Sequence, residues 1–202
     1  MSSSQDIVSD TAKSDENVND DADLKEFDFT IKSTWSDLQL EIEGKPLYVP
    51  RSFLAMISPV FRRMLKSEFK EKEAEMIYLP NKKYEDVLTF LRCTTPWSSI
   101  KVSDKNILQI LPLAHEYQLS GLLNDCCVNL MKQLDYYCGN SYKCCEICLQ
   151  AEKYGLENVM EKCIMTFTKM KSNSFRDQEI FNTIPSDIRY RILYGRLKVI
   201  DS

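Results

Sequence analysis

Ser36-Asp37-Leu38-Gln39-Leu40-Glu41-Ile42-Glu43-Gly44-Lys45-Pro46-Leu47-Tyr48-Val49-Pro50-Arg51-Ser52-Phe53-Leu54-Ala55-Met56-Ile57-Ser58-Pro59-Val60-Phe61 changes its hydrophobic period once, and that change decides the fold. Leu38, Leu40 and Ile42 alternate with polar residues, the period of a half-buried strand. Glu43-Gly44-Lys45 is a short turn, after which Leu47 and Val49 restart the alternation, so the first half predicts a hairpin. From Phe53 the period is helical: Phe53, Ile57, Val60, Phe61, Met64 and Leu65 share a face. Ser58-Pro59 starts a second helix inside this run, Ser as N-cap and Pro at the first helical position, where its missing N–H costs nothing. Met76-Ile77-Tyr78-Leu79 supplies a third strand. Strand, strand, helix, helix and strand in close succession predict a compact α+β core.

Outward from this core, Phe27, Phe29 and Ile31 alternate and predict a short strand on the N-terminal side. Residues 1–25 are rich in Ser and Asp, poor in apolar positions, and predicted to be disordered. On the C-terminal side, Glu68-Phe69-Lys70-Glu71-Lys72-Glu73 reads as a charged loop interrupted by one aromatic. Residues 84–93 form a helix with Val87, Leu88 and Leu91 inward, broken at Pro96-Trp97. Ser103 is placed to cap a helix over 104–118, whose stripe of Ile107, Leu108, Ile110, Leu111, Ala114 and Tyr117 is amphipathic. Pro112 inside it predicts a kink. Helices follow at 120–134, 141–153, 156–170 and 186–198, the middle pair joined at Tyr154-Gly155. No repeat at a solenoid or propeller period is read.

Asp37, Leu38, Gly44, Arg51, Leu54, Ala55, Ser58, Pro59, Phe61 and Met64, in that order and spacing, resemble the signature of the BTB/POZ domain. The helices at 84–91 and around Leu113-Ala114-His115-Glu116-Tyr117-Gln118 sit at similar distances, so the resemblance runs from about residue 35 to 134. Two positions depart from it: Pro50 stands where a His commonly precedes the basic residue, and Thr94-Thr95-Pro96 replaces a Tyr-(Thr/Pro)-Gly. Ala151-Glu152-Lys153-Tyr154-Gly155-Leu156 and the helix after it resemble the start of a BACK-type extension. The resemblance implies a BTB/POZ fold, a short mixed sheet with a cluster of helices, over residues 26–134. An all-α BACK-like segment and tail would fill 135–202, with 1–25 as an acidic tail.

Charge and cysteine content narrow the chemistry. The 202 residues carry a net charge of −4. Residues 1–25 hold seven acids (Asp6, Asp10, Asp15, Glu16, Asp20, Asp21, Asp23) against Lys13 and Lys25, a balance of −5, which leaves the remainder close to +1. Without a basic excess, nucleic acid is not an expected partner. No apolar run is long enough to span a bilayer and the polar N-terminus is no signal peptide, so a cytoplasmic or nuclear protein is expected and no membrane. Six of the eight cysteines fall on apolar helical stripes: Cys126 and Cys127 with Leu122, Leu130 and Leu134; Cys144, Cys145 and Cys148 with Leu149; Cys163 with Val159 and Phe167. They read as small core residues. Cys145-Glu146-Ile147-Cys148 lacks the second CxxC or His pair of a zinc site, so no metal is expected.

Catalysis finds no support. His115, the one histidine, lies on the outer side of its helix with no nucleophile beside it by motif. Neither GxxxxGK[ST] nor GxGxxG occurs, so no cofactor is expected. The resemblance implies instead an adaptor that docks cullin-3, through Phe69-Lys70-Glu71 after the second core helix and through Tyr117. A lone aromatic in a charged loop suits a partner's pocket, although Phe69 could also pack on its own helix. Dimerisation with itself or a related BTB chain would use an apolar patch near Leu47, Phe53 and Met56. Phe29 would join it if its strand crosses to the partner rather than staying on its own subunit. Asp37 and Arg51 resemble a charged pair near the dimer groove, or else form a local ion pair or Asx turn. The function this implies is recruitment of an unidentified substrate protein to a cullin-3 ubiquitin ligase. The other reading is a BTB dimerisation scaffold in transcriptional or cytoskeletal assembly.

Overall fold

The computed structural model describes residues 28–66, 74–96, 98–171 and 179–200. The hairpin is as read: β1 (Leu38–Ile42) and β2 (Lys45–Val49) pair antiparallel with Leu40 opposite Leu47. Glu43 and Gly44, at φ 52° and 73°, make the two-residue connection, both in the left-handed region that a type I′ turn requires. Leu38, Leu40, Ile42, Leu47 and Val49 all point into the core. Next come α1 (Arg51–Ile57) and α2 (Pro59–Lys66), after which β3 (Met76–Tyr78) returns to lie parallel to β1, giving the order β2-β1-β3.

Neither α1 nor α3 (Tyr84–Thr94) has a capping side chain at its own N-cap, Pro50 and Lys83 respectively. Acids at the two ends of β1 do that work from outside. The Asp37 carboxylate accepts the first N–H of α1, from Arg51, at 2.7 Å, and the Glu43 carboxylate accepts the first N–H of α3, from Tyr84, at 2.9 Å. Each satisfies an orphan donor and sets a negative charge at a positive helix end.

Ser58 caps α2 as expected, its Oγ accepting the Phe61 N–H at 3.1 Å. The same hydroxyl donates at 2.6 Å to the Tyr117 carbonyl, at the end of α4 (Ile107–Glu116). Above this bridge the Phe61 and Tyr117 rings stack at 4.4 Å and 8°, with Phe90 of α3 at 5.9 Å from Tyr117. The expected helix start at 104 is corrected to Ile107. Asn106 Oδ1 accepts the Ser103 N–H, and the Ser103 carbonyl accepts the N–H groups of Asn106 and Ile107, so 103–106 closes as a turn first. Pro112 is carried inside α4.

The remaining helices are α5 (Ser120–Tyr136), α6 (Ser141–Lys153), α7 (Glu157–Lys169), α8 (Glu179–Thr183) and α9 (Ser186–Ile200). α8 was not anticipated: five residues are too few to show a period. The joint between α4 and α5 matches that between α6 and α7. Gln118 and Gly155 both take positive φ, 55° and 63°. Leu119 N–H donates to Ala114 and Leu156 N–H to Ala151, the six-to-one bond of a Schellman ending. Ala114, Tyr117, Leu119, Leu122, Cys126 and Leu130 recur as Ala151, Tyr154, Leu156, Val159, Cys163 and Phe167, each 37 positions later. A two-copy helix hairpin is thus present where no repeat was read, because two copies give no sustained period.

The predicted strand at Phe29 and Ile31 is replaced by a turn, with Phe27 outside the described residues. Asp28 Oδ1 accepts both the N–H and the hydroxyl of Thr30, an Asx turn that competes with extended backbone. The Phe29 carbonyl reaches β2, accepting the Tyr48 N–H at 2.8 Å.

Five cysteines pack as apolar residues: Cys126, Cys144, Cys145, Cys148 and Cys163 are fully buried among helices α5 to α7, and the Cys148 thiol contacts the Met160 sulfur at 3.7 Å, while Cys138 is exposed. Among the described residues no three His, Cys, Asp or Glu side chains are grouped as a metal would need. Burial pushes the thiols of Cys126, Cys144 and Cys145 up to about 12 and that of Cys93 to about 11.

Two predictions follow from this core. Ser58→Ala removes a cap and leaves a buried N–H and carbonyl short of a partner, so urea unfolding should show a loss of about 1–3 kcal/mol. A change under about 0.5 kcal/mol would detach the bridge from stability. The raised thiols hold their protons in the fold above the ordinary value of 9.0. Their contribution is therefore full below about pH 9 and is lost as pH climbs toward 12. Urea midpoints measured from pH 8 to about 10.5 should fall, and fall less in Cys145→Ala, relative to that variant's own value at pH 8. Equal declines in both proteins would overturn the assignment.

Candidate functional site

A strongly apolar surface surrounds the start of α1. Phe29, Trp35, Pro50, Ser52, Phe53, Met56 and Thr95 line a depression of about 370 Å³. Its floor is Phe29, buried by its own chain and 6.2 Å from the Phe53 ring; its rim is Trp35 and Met56, 75% and 70% exposed. Two large apolar side chains so exposed beside a third that is half-buried make the patch expected of a protein–protein contact. Phe53 and Met56, expected in an apolar patch on the strength of the resemblance, both line it. Trp35 was missed, because a single aromatic in a non-periodic segment gives no pattern to read.

Other expected site residues stand elsewhere. Leu47 is corrected from a surface to a core residue: it is fully buried opposite Leu40 in the sheet and has no area to offer a partner. Phe29 contributes only as the floor. Tyr117 is likewise corrected. It is 5% exposed, stacked on Phe61, and burial raises its phenol well above the ordinary value, so it holds the core rather than a docking surface. Phe69, Lys70 and Glu71 lie outside the described residues.

Asp37 and Arg51 do come together, through the main chain: the Asp37 carboxylate holds the Arg51 N–H, while the Arg51 guanidinium donates to the Ala74 carbonyl at the foot of β3. Asp37 also borders a second depression of about 330 Å³ with Lys32, Gln39, Tyr48, Glu75 and Met76. His115 is exposed at the end of α4, with its ring 5.4 Å from that of Tyr154 at the end of α6. The two hairpin copies thus touch at matching ends.

A three-stranded sheet with an antiparallel hairpin and a parallel return, closed by helices, carrying an apolar face on α1, is the architecture of an interaction domain. The chain belongs to the BTB/POZ domain family, whose family model matches residues 28–134, more than half of its length. This is an interaction and adaptor domain.

Similar curated proteins include an Arabidopsis thaliana ARM repeat protein interacting with ABF2, 26% identical over 80% of this chain and 22% of that protein. BTB and MATH domain-containing protein 38 of Caenorhabditis elegans is 22% identical over 88% and 45%, and Kelch-like protein 40 of Xenopus laevis 25% identical over 80% and 25%. The chain spans less than half the length of these relatives. Among solved structures, the BTB domain of human gigaxonin matches 46% of this chain and 75% of its own, at 22% identity and a TM-score of 0.39. No described helix is long and apolar enough to cross a membrane.

Proposed function

We propose that this chain is a dimeric adaptor that recruits a substrate protein to a cullin-3 ubiquitin ligase. The observation that supports this reading is the unbroken run from the BTB/POZ core into the helix pair α6–α7, packed on α5. That succession is the one the resemblance to BTB adaptors with a BACK-like extension implies, with 26–134 as the BTB part and 135–202 as the extension. Cullin-3 docks through Phe69-Lys70-Glu71, the aromatic filling a pocket and the flanking charges setting orientation.

Dimerisation uses the face of Trp35, Phe53 and Met56, the same patch on both subunits in an isologous contact. Sedimentation velocity is expected to find a dimer that Met56→Lys weakens at least about tenfold, by burying an unpaired charge. A wild-type monomer at about 100 μM, or a dimer indifferent to Met56→Lys, would overturn that face as the contact.

Calorimetry against the cullin-3 N-terminal region tests the recruitment role. Wild type is expected to bind below about 1 μM, and Phe69→Ala and Glu71→Lys each to lose more than about 1.4 kcal/mol while staying folded. Absent binding would leave the second reading, a dimerisation scaffold, which the apolar face on α1 supports without any cullin. Binding that ignores both substitutions would keep the adaptor and move the docking site.

A further inference from the structure

α9 is apolar on two opposite sides. One side packs inward: Ile188 and Ile192 are buried, and Gly195 faces Thr168 of α7 so closely that a Cβ there would stand 2.6 Å from the Thr168 methyl. Arg196 fastens the same side, donating to the carbonyls of Phe167 and Met170 at the end of α7. The other side carries Tyr190, Leu193, Tyr194 and Leu197, 67%, 55%, 50% and 59% exposed. Their spacing of i, i+3, i+4 and i+7 puts all four on one stripe. Tyr190 and Tyr194 stack with parallel rings at 6.1 Å, and the Lys198 ammonium lies 4.7 Å over the Tyr194 ring. The side of α9 turned away from α7 is thus an exposed tyrosine–leucine stripe.

Charge indicates what covers it. Arg191 and Lys198 edge the stripe, and the helix carries Arg189, Arg191, Arg196 and Lys198 against Asp187 alone. A second copy laid on the stripe would set basic edge against basic edge, which costs energy. Residues 1–25 have the opposite sign, but their apolar Ile7, Val8, Val18 and Leu24 offer no matching stripe. We infer that the outer face of α9 is a docking site for an amphipathic helix with acidic flanks on another protein, its apolar residues interdigitating with Tyr190, Leu193, Tyr194 and Leu197. Such a helix-on-helix contact is read through anchors at the same i, i+3, i+4, i+7 spacing. The inference rests on the chain being an adaptor, not on cullin-3, and would give the adaptor a place to hold its substrate.

The test uses the full chain without any cullin, so its failure is distinct from failure of the cullin reading. Two labelled helical peptides of about five turns share one leucine stripe, with glutamates flanking it in the first and lysines in the second. The acidic peptide is expected to bind at least about tenfold tighter, with the preference shrinking as salt screens the flanks. Leu193→Ser with Leu197→Ser should abolish binding while leaving the thermal melt unchanged, since both side chains are exposed. Arg191→Glu with Lys198→Glu should exchange the preference between the peptides. Equal binding of both peptides, or no binding at about 1 mM, would overturn the inference. It would also fall if binding appeared only after residues 2–25 were removed, which would assign the face to the chain's own tail. Two further results would overturn it: phosphatidylserine vesicles bound through the stripe in place of the peptide, and a dimer lost in the Leu193→Ser, Leu197→Ser variant.

Discussion

The hydroxyl of Ser58 is the joint on which the core turns. It accepts the Phe61 N–H at the start of α2 and donates a hydrogen bond to the Tyr117 carbonyl at the end of α4, with its own side chain fully buried. Both groups are helix-end orphans that would otherwise be buried unsatisfied. One side chain of the right length therefore fixes the distance between two helices far apart in sequence. The Phe61–Tyr117 stack then fixes their rotation. Because α1 ends where α2 begins, the apolar face of Trp35, Phe53 and Met56 inherits its position from this buried contact.

Beyond α4 the chain solves one packing problem twice. An Ala lets the helix end approach its neighbour, a Tyr closes the turn, a left-handed residue reverses the chain, and a Leu tucks under the first helix of the hairpin. Gln118 takes the left-handed position in the first copy at some cost, and Gly155 takes it freely in the second. The likeness explains why the adaptor core and the helices after it form one continuous packing, with α5 touching both α6 and α7.

Much of this was legible in the sequence where a period ran long enough. β1, β2, α2 and α6 stand where their periods and the Ser58-Pro59 cap put them, and β3, α5, α7 and α9 differ only at their ends. What failed was local hydrogen bonding that competes with a pattern. Asp28 turned Phe29-Thr30 out of a strand, and Asn106 with Ser103 delayed α4 by three residues. The candidate interaction residues were legible as types but not as exposures. Leu47 and Met56 are both apolar and close in sequence, and only the sheet register shows that one is core and the other rim. Trp35 and the outer stripe of α9 were invisible for opposite reasons: one has no period, while the other reads as an ordinary core face until α7 is seen to occupy the opposite side.

The two carboxylates flanking β1 carry a consequence for how the chain folds. α1 and α3 begin at residues that bring no cap of their own, and each takes one from an acid at an end of the hairpin. Short helices are marginal in isolation, so neither gains its first-turn partner until the strands have met. The hairpin therefore acts as the template for helix growth on both of its sides, and long-range order precedes local order at these two points. In a chain built this way the first turns of α1 and α3 are completed by acids that flank β1, so their capping depends on contacts between segments far apart in sequence.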